Sequence, residues 1–276
     1  MCVNPEMADQ QPNEGVGSLF FELAGDLRLL MLTKLSQKNY RLSQLASVLG
    51  ATMQEAHRNM TRLIDSGLVA KDKEGELVLT AYGRTVVTII PSYDFLYRNR
   101  EFFLDHSLGD LPPKFIQRMG AFRNCEIVHG VMAILQRWKN LYSGSEKYIR
   151  EIMAQVPLDL IETVSNRVES GVKFSYIFAS NAVVPKGRIQ LLQKVGWRNF
   201  ISKGIVERRM VPEVNVMTIF NEKQGCVLFP NMKGEPDLNV MFYGEDKEFL
   251  EWCSDLFNYQ WETAGQFDEA KLKHEV

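Results

Sequence analysis

The sequence predicts an α+β amino-terminal module, made of helices closed by a β-hairpin, followed by a layered α/β carboxy-terminal domain. Three observations predict it. Apolar residues recur at three- and four-residue spacing through residues 18 to 64, two short strand-like runs flank a charged turn between 69 and 80, and beyond Gly144 strand-like and helix-like runs alternate. With 276 residues, 45% hydrophobic and 24% charged, the chain has apolar material for one or two ordinary cores.

The first 17 residues, MCVNPEMADQQPNEGVG, are polar and acidic and lack the basic start and apolar centre of a signal peptide, so a disordered tail on a cytoplasmic protein is expected. SLFFELA and DLRLLMLTKLSQ then place Leu19, Phe20, Leu23, Leu27, Leu30, Met31 and Leu35 as two amphipathic helices require. RLSQLASVLG puts Leu42, Leu45, Ala46 and Leu49 on one face and stops at Gly50, a residue suited to a helix end.

The fourth helix, in TMQEAHRNMTRLIDSGLV, opens with Thr52 and Glu55 at capping-box spacing. Its stripe of Ala56, Met60, Leu63 and Ile64 turns inward, so Gln54, His57, Arg58, Thr61 and Arg62 face out. Two strands follow, Val69 to Lys71 and Leu77 to Thr80, around a Gly-containing turn. Two helices joined by a tight turn, then a hairpin, is the order of a winged helix-turn-helix, here over residues 18–90. Arginine neutralises phosphate or reads guanine through two hydrogen bonds, and Gln54 suits adenine, so the outward face of the fourth helix is expected to enter a major groove. In the wing, Lys71 and Lys73 can reach phosphates, although Asp72, Glu74 and Glu76 repel them.

LAGDLRLLML, LSQLASVLG, EAHRNMTRLIDSGLV and LVLTAYGRTVV resemble the corresponding stretches of ArsR-type winged helices. The resemblance implies a DNA-binding regulator whose post-wing helix pairs with a second chain. The cysteine metal motif of arsenic-sensing members is missing from the third helix, so thiol-based metal sensing is not expected.

Residues 91–122 read as a helical connector. TAYGRTVVTIIPSYDFLYRNREFFLDHS carries an apolar rib from Val86 to Leu104, and Pro91, which lacks an amide donor, is expected to bend it into two helices ending near Asp105. The rib packs either against its own domain or, as the resemblance to ArsR-like dimers favours, against a second copy of the chain. Leu111-Pro112-Pro113 then marks a hinge between domains, about which, with the Pro91 bend, the winged helices would rotate.

Residues 123–265 read as an α/β regulatory domain, with 266–276 as a tail. Ile127, Val131, Ile134, Leu135 and Trp138 form a helical stripe. Next come KYIREIMAQV (strand), LDLIETVSNRVESG (helix), VKFSYIFAS (strand) and KGRIQLLQKVG (helix), then strands in VERRMVP, NVMTIFN and GCVLFPN and a closing helix from Asp246 to about Thr263. The alternation predicts a mostly parallel sheet. The arrangement resembles that of archaeal regulators of the methanogenesis-regulatory family, which join an ArsR-like winged helix to such a domain.

In outline this half is also similar to phospholipase-D-like and TrmB-type sensor domains. Phosphodiesterases of the former class need His-x-Lys followed by Asp, whereas His129 here precedes Gly130 and Val131. The G-x-S-x-G, Walker and HExxH patterns are likewise missing, so no catalytic residue is assigned and no enzyme is expected. An effector is expected instead at the strand ends, among Tyr176, Asn181, Arg188, Trp197 and Arg208.

Cys2, Cys125, Cys226 and Cys253 show no metal-ligand spacing, so reduced thiols, no metal and no cofactor are expected. No apolar stretch approaches membrane-span length. The net charge of −2, and only nine basic against seven acidic residues over 18–90, exclude a protein that coats nucleic acid. The expected partners are double-stranded DNA, a second copy of the chain and a small-molecule effector. A winged helix that docks protein without reading DNA is the alternative.

Overall fold

A computed structural model describes residues 15–155 and 157–274. It divides between Ile90 and Pro91 into two compact units. Of the expected amino-terminal tail, residues 1–14, with Cys2, lie outside the described residues.

In the first unit, α1 (Val16–Leu23), α2 (Asp26–Leu35), α3 (Leu42–Leu49) and α4 (Met53–Asp65) precede a two-stranded antiparallel hairpin, β1 (Val69–Lys71) and β2 (Leu77–Leu79). Met31, Leu32, Leu35, Leu45, Ala46, Ala56, Met60 and Leu63 fill its core, as the helical spacings require. α3 stops on Gly50, and the hairpin turn is held by Asp72 Oδ1, which accepts from the amides of Glu74 (3.0 Å) and Glu76 (2.8 Å). At the start of α5 (Ala81–Arg98), Gly83 lies so close to the Leu68 carbonyl oxygen that a Cβ there would sit 2.0 Å from it.

Pro91 does not bend the chain into two helices. It lies inside α5, which runs unbroken to Arg98, and only the three residues Phe102–Leu104 of the expected second helix form a further, 3-10 turn. Proline removes one helical hydrogen bond without forbidding the turns around it. Each half of α5 is held by an apolar anchor, Val86 in the first unit's core and Phe95 in the second's. Nor do Pro112 and Pro113 form an interdomain hinge, because Pro113 opens α6 (Pro113–Ile116) well inside the second unit, with Phe115 buried in its core.

The second unit continues with β3 (Glu126–His129), α7 (Val131–Ser143), β4 (Tyr148–Met153), α8 (Leu158–Glu169), β5 (Lys173–Ala179), β6 (Val183–Val184), α9 (Arg188–Lys194) and α10 (Trp197–Ser202). Then come β7 (Val206–Val211), β8 (Met217–Asn221), β9 (Gly225–Leu228), β10 (Val240–Gly244), α11 (Lys247–Thr263), β11 (Gly265–Gln266) and β12 (Lys273–His274). Eight strands form one sheet in the order β11-β7-β5-β4-β8-β9-β10-β3.

The sheet is mixed, not mostly parallel. Only β4/β5 and β5/β7 are parallel, and the other five pairings are antiparallel. Parallel neighbours need a long crossover, usually a helix. α8 supplies one between β4 and β5, and α9 with α10 the next, but β8 turns directly into β9 through Asn221–Gly225. The helical stripe expected from Ile127 to Trp138 also divides. Glu126–His129 pair with β10, Gly130 takes a φ of +91°, and the helix starts only at Val131. The segment read as a tail, 266–276, includes part of β11 and a 3-10 turn at Glu269–Lys271, and its β12 pairs with β6. Among the described residues no helix is long and apolar enough to cross a membrane.

Candidate functional site

Helix α4 is fixed at its start by reciprocal bonds. The Glu55 amide donates to Thr52 Oγ1 (3.2 Å), and the Thr52 amide donates to Glu55 Oε2 (3.1 Å). The Thr52 bonds hold the Glu55 carboxyl below its ordinary pKa, so the cap carries a negative charge where the helix dipole is positive. With Ala56, Met60 and Leu63 buried, Gln54, His57, Arg58 and Thr61 share one exposed face of α4. Among the described residues Arg58 makes no ion pair.

Arg62, one turn beyond Arg58, is engaged elsewhere. Its Nε and Nη2 donate to the two carboxylate oxygens of Glu22 at 3.0 and 2.6 Å, and its guanidinium lies 4.9 Å from the Phe21 ring centroid. Glu22 also faces Arg28, with Nε at 3.2 Å from Oε2. Hydrogen bonding from Arg62 holds the Glu22 carboxyl below its ordinary pKa. Arg28 is only 8% exposed and donates to the Phe21 and Glu22 carbonyls (2.8 and 2.7 Å) and to Asn59 Oδ1 (3.3 Å), tying the end of α1 to α2 and α4. Its guanidinium lies against Gly25, where a Cβ would sit 2.5 Å from Cζ.

This network was legible in part. Arg28, Met31, Leu32 and Leu35 are spaced as one helix face, so an arginine on a buried stripe demanded partners. Lys71 and Lys73 are exposed in the hairpin, together with Glu74.

The second unit holds a cavity of about 60 Å³ on one face of β4 and β5. Glu151 and Met153 from β4, and Phe174, Tyr176 and Phe178 from β5, form its floor; Leu160, Ile161 and Val164 of α8 wall it, with Arg188, Leu192 and Trp197 from α9 and α10. Three of the expected effector residues, Tyr176, Arg188 and Trp197, meet here. Arg208 lines an adjoining recess beside Trp197, and Asn181 is exposed and lines neither. Arg188, 4% exposed, pairs with Glu269, whose other oxygen accepts from Arg208 Nη1 at 3.1 Å. Trp197 is 5% exposed, and its buried Nε1 has no hydrogen-bond partner of normal length among the described residues.

Sequence reasoning missed Glu151 and Tyr142. Tyr142 donates to the buried Glu151 carboxyl, and burial pushes that carboxyl up to about 8, so it is protonated at neutral pH. The signal was its place in YIREIM, where Ile149, Glu151 and Met153 alternate onto one face. Cys226 and Cys253 are buried and Cys125 partly so, and desolvation pushes all three thiols up.

No protein-family model matches the chain. It is similar to the methanogenesis regulatory protein FilR1 of Methanothrix harundinacea (strain 6Ac), 25% identical over 90% of this chain and 58% of that protein. The chain thus spans little more than half the length of that relative. Among solved structures it is similar to the archaeal chromatin protein TrmBL2, at 12% identity and a TM-score of 0.42 over 91% of this chain and 97% of that one. It is also similar to NucT from Helicobacter pylori, at 10% identity and a TM-score of 0.39 over 52% of this chain and 99% of that one.

Proposed function

We propose that this chain is a DNA-binding transcriptional regulator of ArsR-like winged-helix type, reading double-stranded DNA as a homodimer. In this reading α4 enters the major groove and the β1/β2 hairpin lies along the backbone, while the second unit senses a small molecule. The observation that carries the reading is the capped α4 presenting Gln54, His57, Arg58 and Thr61 on one exposed face. The similarity to FilR1, a methanogenesis regulatory protein, over 90% of this chain supports it. α5 supports the dimer: Tyr82 and Ile89 are exposed along its first-unit half, apolar side chains that a second copy would cover.

The test is fluorescence anisotropy on DNA selected by the protein from a random pool. Arg58→Ala is expected to weaken binding at least tenfold, the size of one lost bidentate base contact. Unchanged affinity in a folded Arg58→Ala protein overturns the assignment of α4. One observation favours protein docking instead: Val48 and Met53, beside the α3–α4 turn, are about half exposed. Failure of the pool to yield any bound DNA selects that reading.

A further inference from the structure

The cavity over β4 and β5 combines a dry apolar wall with donors that converge from α9, α10 and β5. Met153, Leu160, Val164 and Phe178 offer no hydrogen-bond donor from their side chains, whereas Arg188, Tyr176 and Trp197 do. The local charge is positive, since Arg188 and Arg208 share the single carboxylate of Glu269. Glu151 does not cancel it, because burial keeps that carboxyl protonated below about pH 8. A buried cation shared in this way favours an added anion.

Two features narrow the ligand further. Trp197 Nε1 is a donor only, and beside the Tyr176 hydroxyl, with no partner of normal length among the described residues, it suits an added acceptor oxygen. A water needs roughly 10–15 Å³ of such space, so the volume of about 60 Å³ holds about four to six non-hydrogen atoms.

We propose that this cavity is the effector site and takes a short-chain aliphatic monocarboxylate, its carboxylate on Arg188 and Trp197 Nε1 and its hydrocarbon against Leu160 and Val164. The proposal rests on the sensing role of the second unit given above. Glu269 occupies the place of the ligand's charge on Arg188 and lies in the carboxy-terminal segment, between β11 and β12. A carboxylate that takes over Arg188 loosens that segment's hold, which gives the effector a mechanical output.

Isothermal titration calorimetry of the full chain with acetate, propionate and butyrate, and with propionamide as the uncharged analogue, tests this. One saturable site per chain is expected, with propionate at least tenfold tighter than propionamide. Arg188→Gln should weaken propionate at least tenfold. Because Arg188 is itself buried in an ion pair, Val164→Leu, which fills the cavity with one methylene, is the second variant; it should abolish binding while leaving the thermal midpoint unchanged or raised. Absence of saturable binding in the wild type, or binding that survives Val164→Leu, overturns the proposal. DNA binding is measured on the same samples, so a protein that binds DNA but no carboxylate refutes this site alone, and the converse refutes the DNA reading alone.

Discussion

Replacing Gly83 by alanine sets two effects of known size against each other. Alanine is favoured over glycine in a helix by about 1 kcal/mol, and Gly83 lies in the first turn of α5, so propensity alone predicts a small gain. The packing predicts a loss. The added Cβ would lie 2.0 Å from the Leu68 oxygen, 2.9 Å from its carbonyl carbon and 3.3 Å from its Cα, all backbone atoms that cannot rotate away. The start of α5 must then retreat by about 1 Å, at the 1–3 kcal/mol typical of overpacking.

Retreat also disturbs Thr80, whose Oγ1 accepts from the Gly83 amide (2.9 Å) and donates to the Gly67 carbonyl (2.7 Å), a cap worth about 1 kcal/mol. The net is a destabilisation of about 2 kcal/mol. Gly17→Ala is the control, since nothing lies within 4 Å of a Cβ there and α1 should gain up to about 1 kcal/mol. Urea unfolding followed by far-ultraviolet circular dichroism measures both, read as a midpoint shift at constant slope. All four tryptophans (138, 197, 252 and 261) lie in the second unit, so their fluorescence reports separately on that unit. Gly83→Ala as stable as the wild type refutes the close approach.

Arg28→Ala leaves Glu22 paired to Arg62 alone and takes the donor from the Phe21 and Glu22 carbonyls, so the first unit should lose about 2 kcal/mol in the same urea assay. Glu151 makes the second unit sensitive to pH: its folded pKa of about 8 lies above the ordinary 4.5, so its contribution is complete below 4.5 and disappears as pH rises through about 8. Tryptophan-monitored stability should therefore fall between about pH 5 and about pH 8, and Glu151→Gln should flatten that slope. Glu22 titrates in the opposite sense: its carboxyl is held low by Arg62, so the stability it contributes is present above the ordinary 4.5 and lost as pH falls through the lowered value, a loss that Glu22→Gln removes from the circular-dichroism transition.

Where one local rule decides the outcome, the sequence was sufficient. Thr52 and Glu55 announce the start of α4, and Gly50 the end of α3. The inward stripe of α4 follows from spacing alone, and with it the exposed face of Gln54, His57, Arg58 and Thr61. The misreadings arise where a local pattern met a distant partner. Ile127 stands four residues before Val131, as a helix would have it, but Glu126–His129 find β10 more than a hundred residues away. Pro91 reads as a break because it lacks a donor, yet buried anchors on either side keep the helix whole. The Glu22 partner of Arg62, 40 residues away, likewise lay beyond any spacing rule, while the DNA contact expected of Arg62 stays a proposal. The cavity lay between these cases. Tyr176, Arg188 and Trp197 were placed by the general position of ligands at strand ends, but the buried Glu151 needed the fold.

The Glu22–Arg62 pair also fixes how steeply DNA binding should respond to salt. Each phosphate neutralised contributes about −0.9 to the slope of log K against log salt. With Arg62 held by Glu22, each chain offers Arg58, Lys71 and Lys73, so a dimer should show a slope of about −5 and a lone chain about −3. If Arg62 leaves Glu22 for a phosphate, a dimer reaches about −7. Glu22→Gln removes the competing carboxylate and should move the dimer from about −5 to about −7, while weakening the tie between α1 and α4. A wild-type slope already near −7 would mean that the pair opens on binding and that Glu22 sets only the cost of opening it. A slope near zero would mean that α4 and the hairpin meet no phosphate, and that this surface docks on protein.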